Sequence, residues 1–314
     1  MRAAVLRARG EAPELGEFPD PQPDGEHPAL DVLVAGLNPI DLSIAAGRVP
    51  AREREHPSIP GTEGVGELDG RRWYFDAPIP PYGSIAERAP VEPESLIEVP
   101  ETLDLGLAVS LGVAGFAAWL ALTWRGELQP GEKVLVLGAS GVVGQIAVQA
   151  ARLLGAGKVV AAARDAKLGL ERARHQLGAD AVVQLGGEGD LAEHLREAVG
   201  GGYDLVIDPL WGEPAVAALA TLNRDGRLVA IGNSASETAT IPGRDLRNRL
   251  GKIIGHTNFH APREVKREAY AAMARHAAAG ELTVPVVERP LEEVAAAWEE
   301  QAGSPHHKLV LRVR

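Results

Sequence analysis

The sequence predicts an α/β protein in which a β-rich part is combined with a doubly wound parallel sheet. Residues 1–100 contain short strand patterns separated by Pro and Gly clusters, which is typical of an all-β unit. From residue 133 onward strand and helix patterns alternate, which indicates a parallel sheet with helices on both faces. A glycine-rich turn with the sequence GASGVVG, residues 138–144, joins the first of these strands to its helix.

The bulk composition is that of an ordinary globular protein, and it excludes several classes of function. The chain has 314 residues, 45% hydrophobic and 24% charged, and one core rarely grows beyond about 250–300 residues, so two domains are expected. The formal net charge of −11 argues against binding to nucleic acid or to a membrane surface. The absence of cysteine excludes disulfides and thiolate zinc ligands. No signal-peptide pattern is seen, so we expect a cytoplasmic protein.

In the β-rich part we predict strands over residues 31–36, 72–76 and 84–88. Residues 105–124 follow without a charge, long enough to span a bilayer. Length is the only support for a membrane span, and a buried helix between domains is equally apolar on all sides. We therefore expect a buried helix here.

The alternating part and the tail are predicted as follows. Strands are expected over residues 133–137, 158–163, 180–183, 203–207 and 227–231, with helices over 141–154 and 166–177. The tail reads as helix 263–280, strand 282–287, helix 291–301 and strand 307–312. We expect the tail to return to the β-rich part, which gives one domain of residues 1–104 and 263–314 and a second of residues 105–262.

The glycine turn is the strongest candidate for a ligand site. Gly141 and Gly144 match the second and third glycines of the dinucleotide fingerprint, whereas Ala139 stands at the first. The turn follows a strand and opens a helix, whose N-terminal N–H groups attract a pyrophosphate. The alternative is a tight strand-to-helix turn that binds nothing. The predicted binding residues are Ala139, Ser140, Gly141, Val142, Val143 and Gly144.

The end of the second strand indicates which nicotinamide dinucleotide is bound. NAD-binding folds place an acidic residue there for the ribose 2′-hydroxyl, whereas an arginine suits a 2′-phosphate. Arg164 follows the strand directly, with Lys167 three positions later, so NADP(H) is favoured. Asp165 leaves NAD(H) open, because a shift of one position would make it the acidic residue.

With these motifs placed, the sequence resembles the zinc-free quinone oxidoreductase branch of the medium-chain dehydrogenase/reductase superfamily. The resemblance rests on the glycine turn and on NPID at 38–41, PGTEGVG at 60–66, GEKVLV at 131–136, GNS at 232–234 and HKLVL at 307–311. It implies a GroES-like catalytic domain, a Rossmann cofactor domain, and NADPH-dependent reduction of quinones or α,β-unsaturated carbonyls.

The same resemblance bears on metal binding. Zinc-dependent relatives carry Cys at the position of Asn38 and His-Glu at Thr62-Glu63, so we expect no metal site. Without a Lewis acid, the protein supplies geometry and hydrogen-bond donors while the cofactor carries the hydride. Such a site suits conjugated acceptors, whose developing anion is delocalised.

The resemblance also implies roles for residues outside the glycine turn. Asn38 would donate a hydrogen bond to the substrate oxygen, and Asp41 would either orient nearby groups or cap a helix. The expected cofactor contacts are Gly232, Asn233, Ser234, His256, Thr257, Asn258 and Lys308. Their alternatives are a strand-ending turn, a solvated loop and, for Lys308, an ordinary surface lysine.

Departures from the family pattern keep other functions open. Ala117 stands where relatives often have Thr, and Ser43 and Val49 stand where they have tyrosines. Tyr74 and Tyr82 are proton donors that the sequence does not place. The alternatives are an enoyl-thioester reductase and a non-catalytic NADP(H)-binding redox sensor or scaffold. Residues 252–258 form an apolar strand through which family members dimerise, so a homodimer is expected unless this chain covers the strand itself.

Overall fold

The computed structural model describes residues 1–22, 24–164 and 169–314. The strands are β1 Arg2–Val5, β2 Glu14–Glu17, β3 Ala29–Leu37, β4 Glu63–Leu68, β5 Arg71–Phe75, β6 Arg88–Pro90, β7 Ile97–Glu98, β8 Lys133–Leu137, β9 Lys158–Ala163, β10 Ala181–Gln184, β11 Tyr203–Asp208, β12 Leu222–Ala230, β13 Lys252–Gly255, β14 Val286–Pro290 and β15 Lys308–Arg312. The α-helices are α1 Pro39–Ala45, α2 Leu105–Ser110, α3 Val113–Leu120, α4 Val142–Leu153, α5 Glu171–His175, α6 Leu191–Val199, α7 Gly212–Leu219, α8 Gly243–Arg247, α9 Arg263–Ala278 and α10 Val294–Ala302.

The chain forms two compact units, which confirms the predicted mixture of a β-rich part and a doubly wound parallel sheet. The first unit comprises Met1–Val113 and Tyr270–Arg314, and the second comprises Ala114–Ala269. In the first unit a seven-stranded sheet has the order β14-β15-β3-β4-β5-β7, with β6 paired to β3. Strand β15 runs antiparallel to β3, so the C-terminal segment completes the N-terminal sheet.

The second unit contains a six-stranded sheet with the order β10-β9-β8-β11-β12-β13, and its paired strands are parallel. Its central strands are mainly apolar, and Val134, Leu135, Val136 and Leu137 of β8 are fully buried. This is expected because helices cover both faces of a parallel sheet. The strand order reverses between β8 and β11, where ligands of such sheets bind at the carboxyl edge.

Two predicted strands are wrong in position. The strand expected over 84–88 begins only at Arg88, and Ala86 before it forms a single bridge to Ala3. The strand expected over 282–287 begins at Val286, because Pro285 has no N–H to donate to a ladder. Both segments accept backbone hydrogen bonds, from the Ala4 N–H to Ile85 O and from the Lys308 N–H to Pro285 O, but neither is a regular strand there.

The uncharged segment 105–124 is not one continuous helix. Helix α2 ends at Ser110, α3 begins at Val113, and a π-helical turn follows over Ala121–Arg125. The interruption lies at Gly112, where a side-chain Cβ would come within 2.3 Å of the Tyr74 hydroxyl. Within the described residues, no helix is long and apolar enough to cross a membrane.

Candidate functional site

The glycine loop, residues 138–144, connects β8 to α4 as the sequence predicts. Gly138 adopts φ 63°, a conformation that favours glycine, and its carbonyl accepts the Gly141 N–H at 3.1 Å. The Ala139 N–H donates to Ala162 O of β9 at 3.0 Å. The buried Gln145 amide donates to Ser140 O at 2.7 Å, so Gln145 holds the loop, a role that the fingerprint does not reveal.

The glycines at 141 and 144 serve different purposes. At Gly144 a Cβ would lie 2.3 Å from Gly138 O and 2.6 Å from Ala139 Cα, so this glycine allows α4 to pack on the loop. At Gly141 a Cβ would meet only Gly138 O, at 3.5 Å. The space over Gly141 is therefore open at the N-terminus of α4, and this arrangement fits a pyrophosphate bound by backbone N–H groups.

Of the residues that predict the choice of dinucleotide, the structure describes Arg164. Arg164 directly follows β9 and is exposed. Gly169 approaches the same loop, because a Cβ there would lie 2.5 Å from Ser140 Cβ. Asp165 and Lys167 lie outside the described residues, so the structure does not decide between the acidic and basic alternatives at the ribose.

Six further predicted cofactor residues lie at the same carboxyl edge, after β12 and β13. Gly232, Asn233 and Ser234 follow β12, and both the N–H and the hydroxyl of Ser234 donate to Pro209 O, at 3.2 and 3.1 Å. After β13, His256 Nε2 lies 3.0 Å from Asn258 Oδ1, and burial lowers the pKa of His256. This imidazole is therefore neutral at physiological pH. Thr257 caps the short turn that begins at Asn258.

Residues 208–211, which lie in the sequence between the glycine loop and the loop after β12, were not predicted as part of the site. Asp208 ends β11 at the reversal of strand order and is fully buried. Its Oδ1 accepts the N–H groups of Leu210 at 2.8 Å and Trp211 at 3.0 Å. In the sequence Asp208 is an acidic residue at the end of an apolar strand. This pattern alone does not distinguish it from an ordinary last residue of the strand.

The first unit contains a second arrangement, which we call the polar cluster: Asn38, Glu63, Tyr74 and Lys308. Lys308 Nζ donates to Asn38 Oδ1 at 2.6 Å and to Glu63 Oε1 at 2.7 Å, and Asn38 Nδ2 donates to Glu63 Oε1 at 2.8 Å. Lys308 is 2% exposed and Asn38 is 4% exposed. The alternative that Lys308 is an ordinary surface lysine is therefore wrong, because its side chain on β15 is buried.

The other oxygen of Glu63 completes the polar cluster. Oε2 accepts the Tyr74 hydroxyl at 3.0 Å and the Val113 N–H at 2.6 Å. A buried carboxylate of this kind is tolerated only when its oxygens are hydrogen bonded and its charge is paired. Burial raises the pKa of Tyr74 well above its ordinary value. Tyr74 is therefore a neutral donor to Glu63, while Tyr82 lies elsewhere and donates to Asp20 O at 3.3 Å.

Asp41 lies next to the polar cluster on the first turn of α1. Its Oδ2 accepts the Asn38 N–H at 2.8 Å, which is the helix-capping role that the sequence left open. Its Oδ1 is buried without a hydrogen bond of normal geometry to any described part of the chain. Burial raises the pKa of Asp41 to about 6, against the lowering effects of the Thr62 hydroxyl and the Asn38 N–H. Asp41 also lines a cavity with Thr62 and Arg54.

A metal centre in the described residues of the two units would require a group of ligating side chains. Across residues 1–22, 24–164 and 169–314, no group of three or more His, Asp or Glu side chains is placed to hold a metal ion. The positions that carry zinc ligands in the zinc-dependent relatives are taken by Asn38, which binds an ammonium group, and by Thr62, which is buried.

Comparison with known proteins identifies the family of this chain. Residues 142–276 match the family of zinc-binding dehydrogenases. The chain is 29% identical to the quinone oxidoreductase of Homo sapiens over 296 residues, covering 89% of this chain and 86% of that protein. It is 31% identical to quinone oxidoreductase-like protein 2 of Bos taurus over 253 residues, covering 76% of this chain and 70% of that protein.

A solved structure extends the similarity over the whole chain. The quinone oxidoreductase of Thermus thermophilus, a structure determined also as a complex with NADPH, has a TM-score of 0.80 and 31% identity, with all of both chains covered. This chain therefore belongs to the quinone oxidoreductase branch of the medium-chain dehydrogenase/reductase superfamily.

Proposed function

We propose that this protein is a zinc-independent oxidoreductase that transfers a hydride from NADPH to a quinone or an α,β-unsaturated carbonyl compound. The observation that carries the proposal is the open space over Gly141 at the N-terminus of α4, on the carboxyl edge of a parallel sheet. A dinucleotide pyrophosphate bound there would receive N–H groups of the glycine loop, with Ala139, Ser140, Val142 and Val143 around it. When bound, the reduced nicotinamide supplies the hydride.

The choice of NADPH over NADH rests on Arg164. Its guanidinium follows β9 directly, at the position where dinucleotide-binding folds contact the adenosine ribose. Lys167, outside the described residues, would add a second positive charge. The relative from Thermus thermophilus, which is 31% identical, was determined with NADPH, and this supports the same choice here.

The nicotinamide end of the cofactor is proposed to lie over the β11–β13 half of the sheet. Gly232, Asn233 and Ser234 would line one side, and His256, Thr257 and Asn258 the other. Lys308 has three N–H donors, of which two are directed to Asn38 and Glu63, so we assign the third to the bound cofactor or substrate.

The polar cluster supplies the substrate chemistry in this proposal. Lys308 withdraws electron density from the Asn38 carbonyl oxygen at 2.6 Å, which makes the amide N–H groups of Asn38 better donors. One of them is directed to Glu63, so the other remains for a developing oxyanion on the substrate. Asp41 fixes the Asn38 backbone through its N–H and acts as a positioning residue.

Steady-state assays with NADPH and NADH test this function. The acceptors are 9,10-phenanthrenequinone, a simple enone and crotonyl-CoA, each with and without EDTA. We expect turnover of the quinone or the enone, a preference for NADPH and no effect of EDTA. Preferential reduction of crotonyl-CoA would instead indicate an enoyl-thioester reductase. Tight NADPH binding without turnover of any acceptor would indicate a sensor or scaffold.

We also propose that the protein is a homodimer through residues 252–258. Strand β13 is at the edge of the six-stranded sheet, and near it Leu250, Ile253 and Phe259 are large apolar side chains with 48%, 36% and 36% exposure. An exposed apolar edge of this kind favours pairing with another strand. Sedimentation should show a dimer for the wild type and a monomer for Ile253→Lys, and a monomeric wild type would contradict the assignment.

A further inference from the structure

Trp211 has a backbone conformation that is almost exclusive to glycine. Its φ is 59° and its ψ is −166°, a region in which a side-chain Cβ is strongly disfavoured. A tryptophan persists there only when the surrounding structure holds it, and such outliers concentrate at ligand sites. Gly212 follows directly and also has a positive φ, 67°, so two consecutive residues adopt this region and the first of them is a tryptophan.

The strained residue lies at the carboxyl edge of the parallel sheet, close to the glycine loop. A Cβ at Gly138 would lie 3.1 Å from both Pro209 Cγ and Leu210 Cδ2. On the other side, a Cβ at Gly212 would lie 2.8 Å from Ser236 Cβ. Trp211 therefore stands between the glycine loop and the loop after β12, and its side chain is half-buried.

Asp208 holds this turn in place. Its Oδ1 accepts the N–H groups of Leu210 and Trp211, and these two bonds fix the backbone where the strain is stored. The carboxylate is fully buried, and within the described residues its Oδ2 has no hydrogen-bond partner. A buried carboxylate dedicated to one turn indicates that the conformation of that turn matters for more than stability.

We propose that Trp211 contacts the bound dinucleotide and that its indole packs against the nicotinamide half. In a sheet with this strand order the dinucleotide lies across the reversal point, with one half over β8–β10 and the other over β11–β13. Trp211 follows β11 and so belongs to the nicotinamide side. The inference rests on the proposed function, since it requires that NADPH binds. Asp208 is the positioning residue and Trp211 the contact.

Fluorescence offers a readout that does not depend on turnover, because tryptophan emission overlaps the absorption of the reduced nicotinamide. The variants are Trp211→Gly, Trp211→Phe and, as a matched control in β5 of the other unit, Trp73→Phe. We expect NADPH to bind Trp211→Gly about tenfold more weakly. When tryptophan is excited, energy transfer to bound NADPH produces NADPH emission. This emission should fall markedly in Trp211→Phe and remain near the wild-type level in Trp73→Phe. Circular dichroism confirms that each variant is folded.

Asp208 is tested by rescue. Asp208→Asn keeps one oxygen acceptor for the two N–H groups and should retain most of the energy transfer, whereas Asp208→Ala should lose it. A purely structural role would lower the Tm of both variants without changing the energy transfer of the folded protein.

The outcomes separate this inference from the proposed function. Wild-type protein that fails to bind NADPH would overturn both. Wild-type protein that binds NADPH, with unchanged affinity in Trp211→Gly and unchanged energy transfer in Trp211→Phe, would overturn the assignment of Trp211 alone.

Discussion

The glycine loop and the polar cluster are built in opposite ways. The loop is one contiguous segment, residues 138–144, whose backbone would provide the binding groups in the proposed function. The polar cluster brings together side chains from β4, β5, β15 and the start of α1, and two of its members, Asn38 and Lys308, are 270 positions apart. The glycine loop can tolerate changes of side chain that do not enter the space around its backbone. The polar cluster depends on each of its charged or polar atoms having a hydrogen-bond or ion-pair partner.

The largest effect should come from separating the buried ion pair of the polar cluster. Lys308→Met leaves the Glu63 carboxylate fully buried without its ammonium partner, which should lower the free energy of unfolding by about 3–5 kcal/mol. Urea denaturation measures the loss. The double variant Lys308→Met/Glu63→Gln is the control, because it removes both charges and should recover part of the stability. If Lys308→Met were as stable as the wild type, the Lys308–Glu63 ion pair would not be shielded from water.

The next prediction concerns the pH dependence of stability through Asp41, which lies in the same unit as the polar cluster. The pKa of Asp41 is raised from 3.8 to about 6 by burial, so the folded state holds the proton more tightly than the unfolded state. This stabilisation is complete below about pH 4 and is lost as the pH rises through 6, by an amount on the order of 3 kcal/mol.

Asp41→Asn isolates the contribution of this carboxyl group. Unfolding free energies measured between pH 4 and pH 7.5 should fall more steeply for the wild type than for the variant. Parallel curves for the two proteins would show that the Asp41 carboxyl is not protonated on folding.

Two substitutions in the glycine loop should separate an effect on stability from an effect on NADPH binding. Gly144→Ala forces backbone atoms apart, because its Cβ would lie 2.3 Å from Gly138 O, and should lower the free energy of unfolding by about 1–3 kcal/mol. Gly141→Ala, its matched control, meets only one atom at 3.5 Å and should unfold like the wild type while binding NADPH about tenfold more weakly. Calorimetry measures both quantities. Equal NADPH affinity in Gly141→Ala and wild type would count against a pyrophosphate at this position.

The smallest effect is expected at Arg164, because the side chain is exposed. Arg164→Gln removes the charge proposed to meet the 2′-phosphate and should weaken NADPH binding about threefold, with NADH binding unchanged. Titrations with both dinucleotides measure the ratio. An equal loss for the two would show that Arg164 does not distinguish them.

The contrast between the two sites explains what the sequence could predict. The strand-turn-helix pattern around Gly141 and Gly144 lies within one short segment, so its position in the fold followed from the residues alone. Apolar runs alternating with helical patterns likewise identified β8, β9 and β11. By contrast, the contacts of Lys308 depend on β15 pairing with β3, and no local pattern near residue 308 specifies that pairing.

Other misses have similarly physical causes. Pro285 and the segment before Arg88 extend strand patterns into regions with only isolated backbone bonds, because side-chain periodicity does not report regular backbone pairing. The strained backbone of Trp211 was not predicted, since tryptophan gives no signal for a conformation that glycine normally adopts. In the sequence Gln145 is one residue of a helical pattern, and only the structure shows its amide bonded to the glycine loop.

The pairing of β15 with β3 also fixes an order of events during synthesis on the ribosome. Residues 114–269 can assemble their parallel sheet as soon as they have emerged. The N-terminal sheet must wait, with Glu63 and Asn38 lacking their ammonium partner, until residues 308–312 are released. Nascent chains stalled before residue 308 should therefore be recognised by chaperones through an open edge of the N-terminal sheet, although all six strands of the parallel sheet are already present in them.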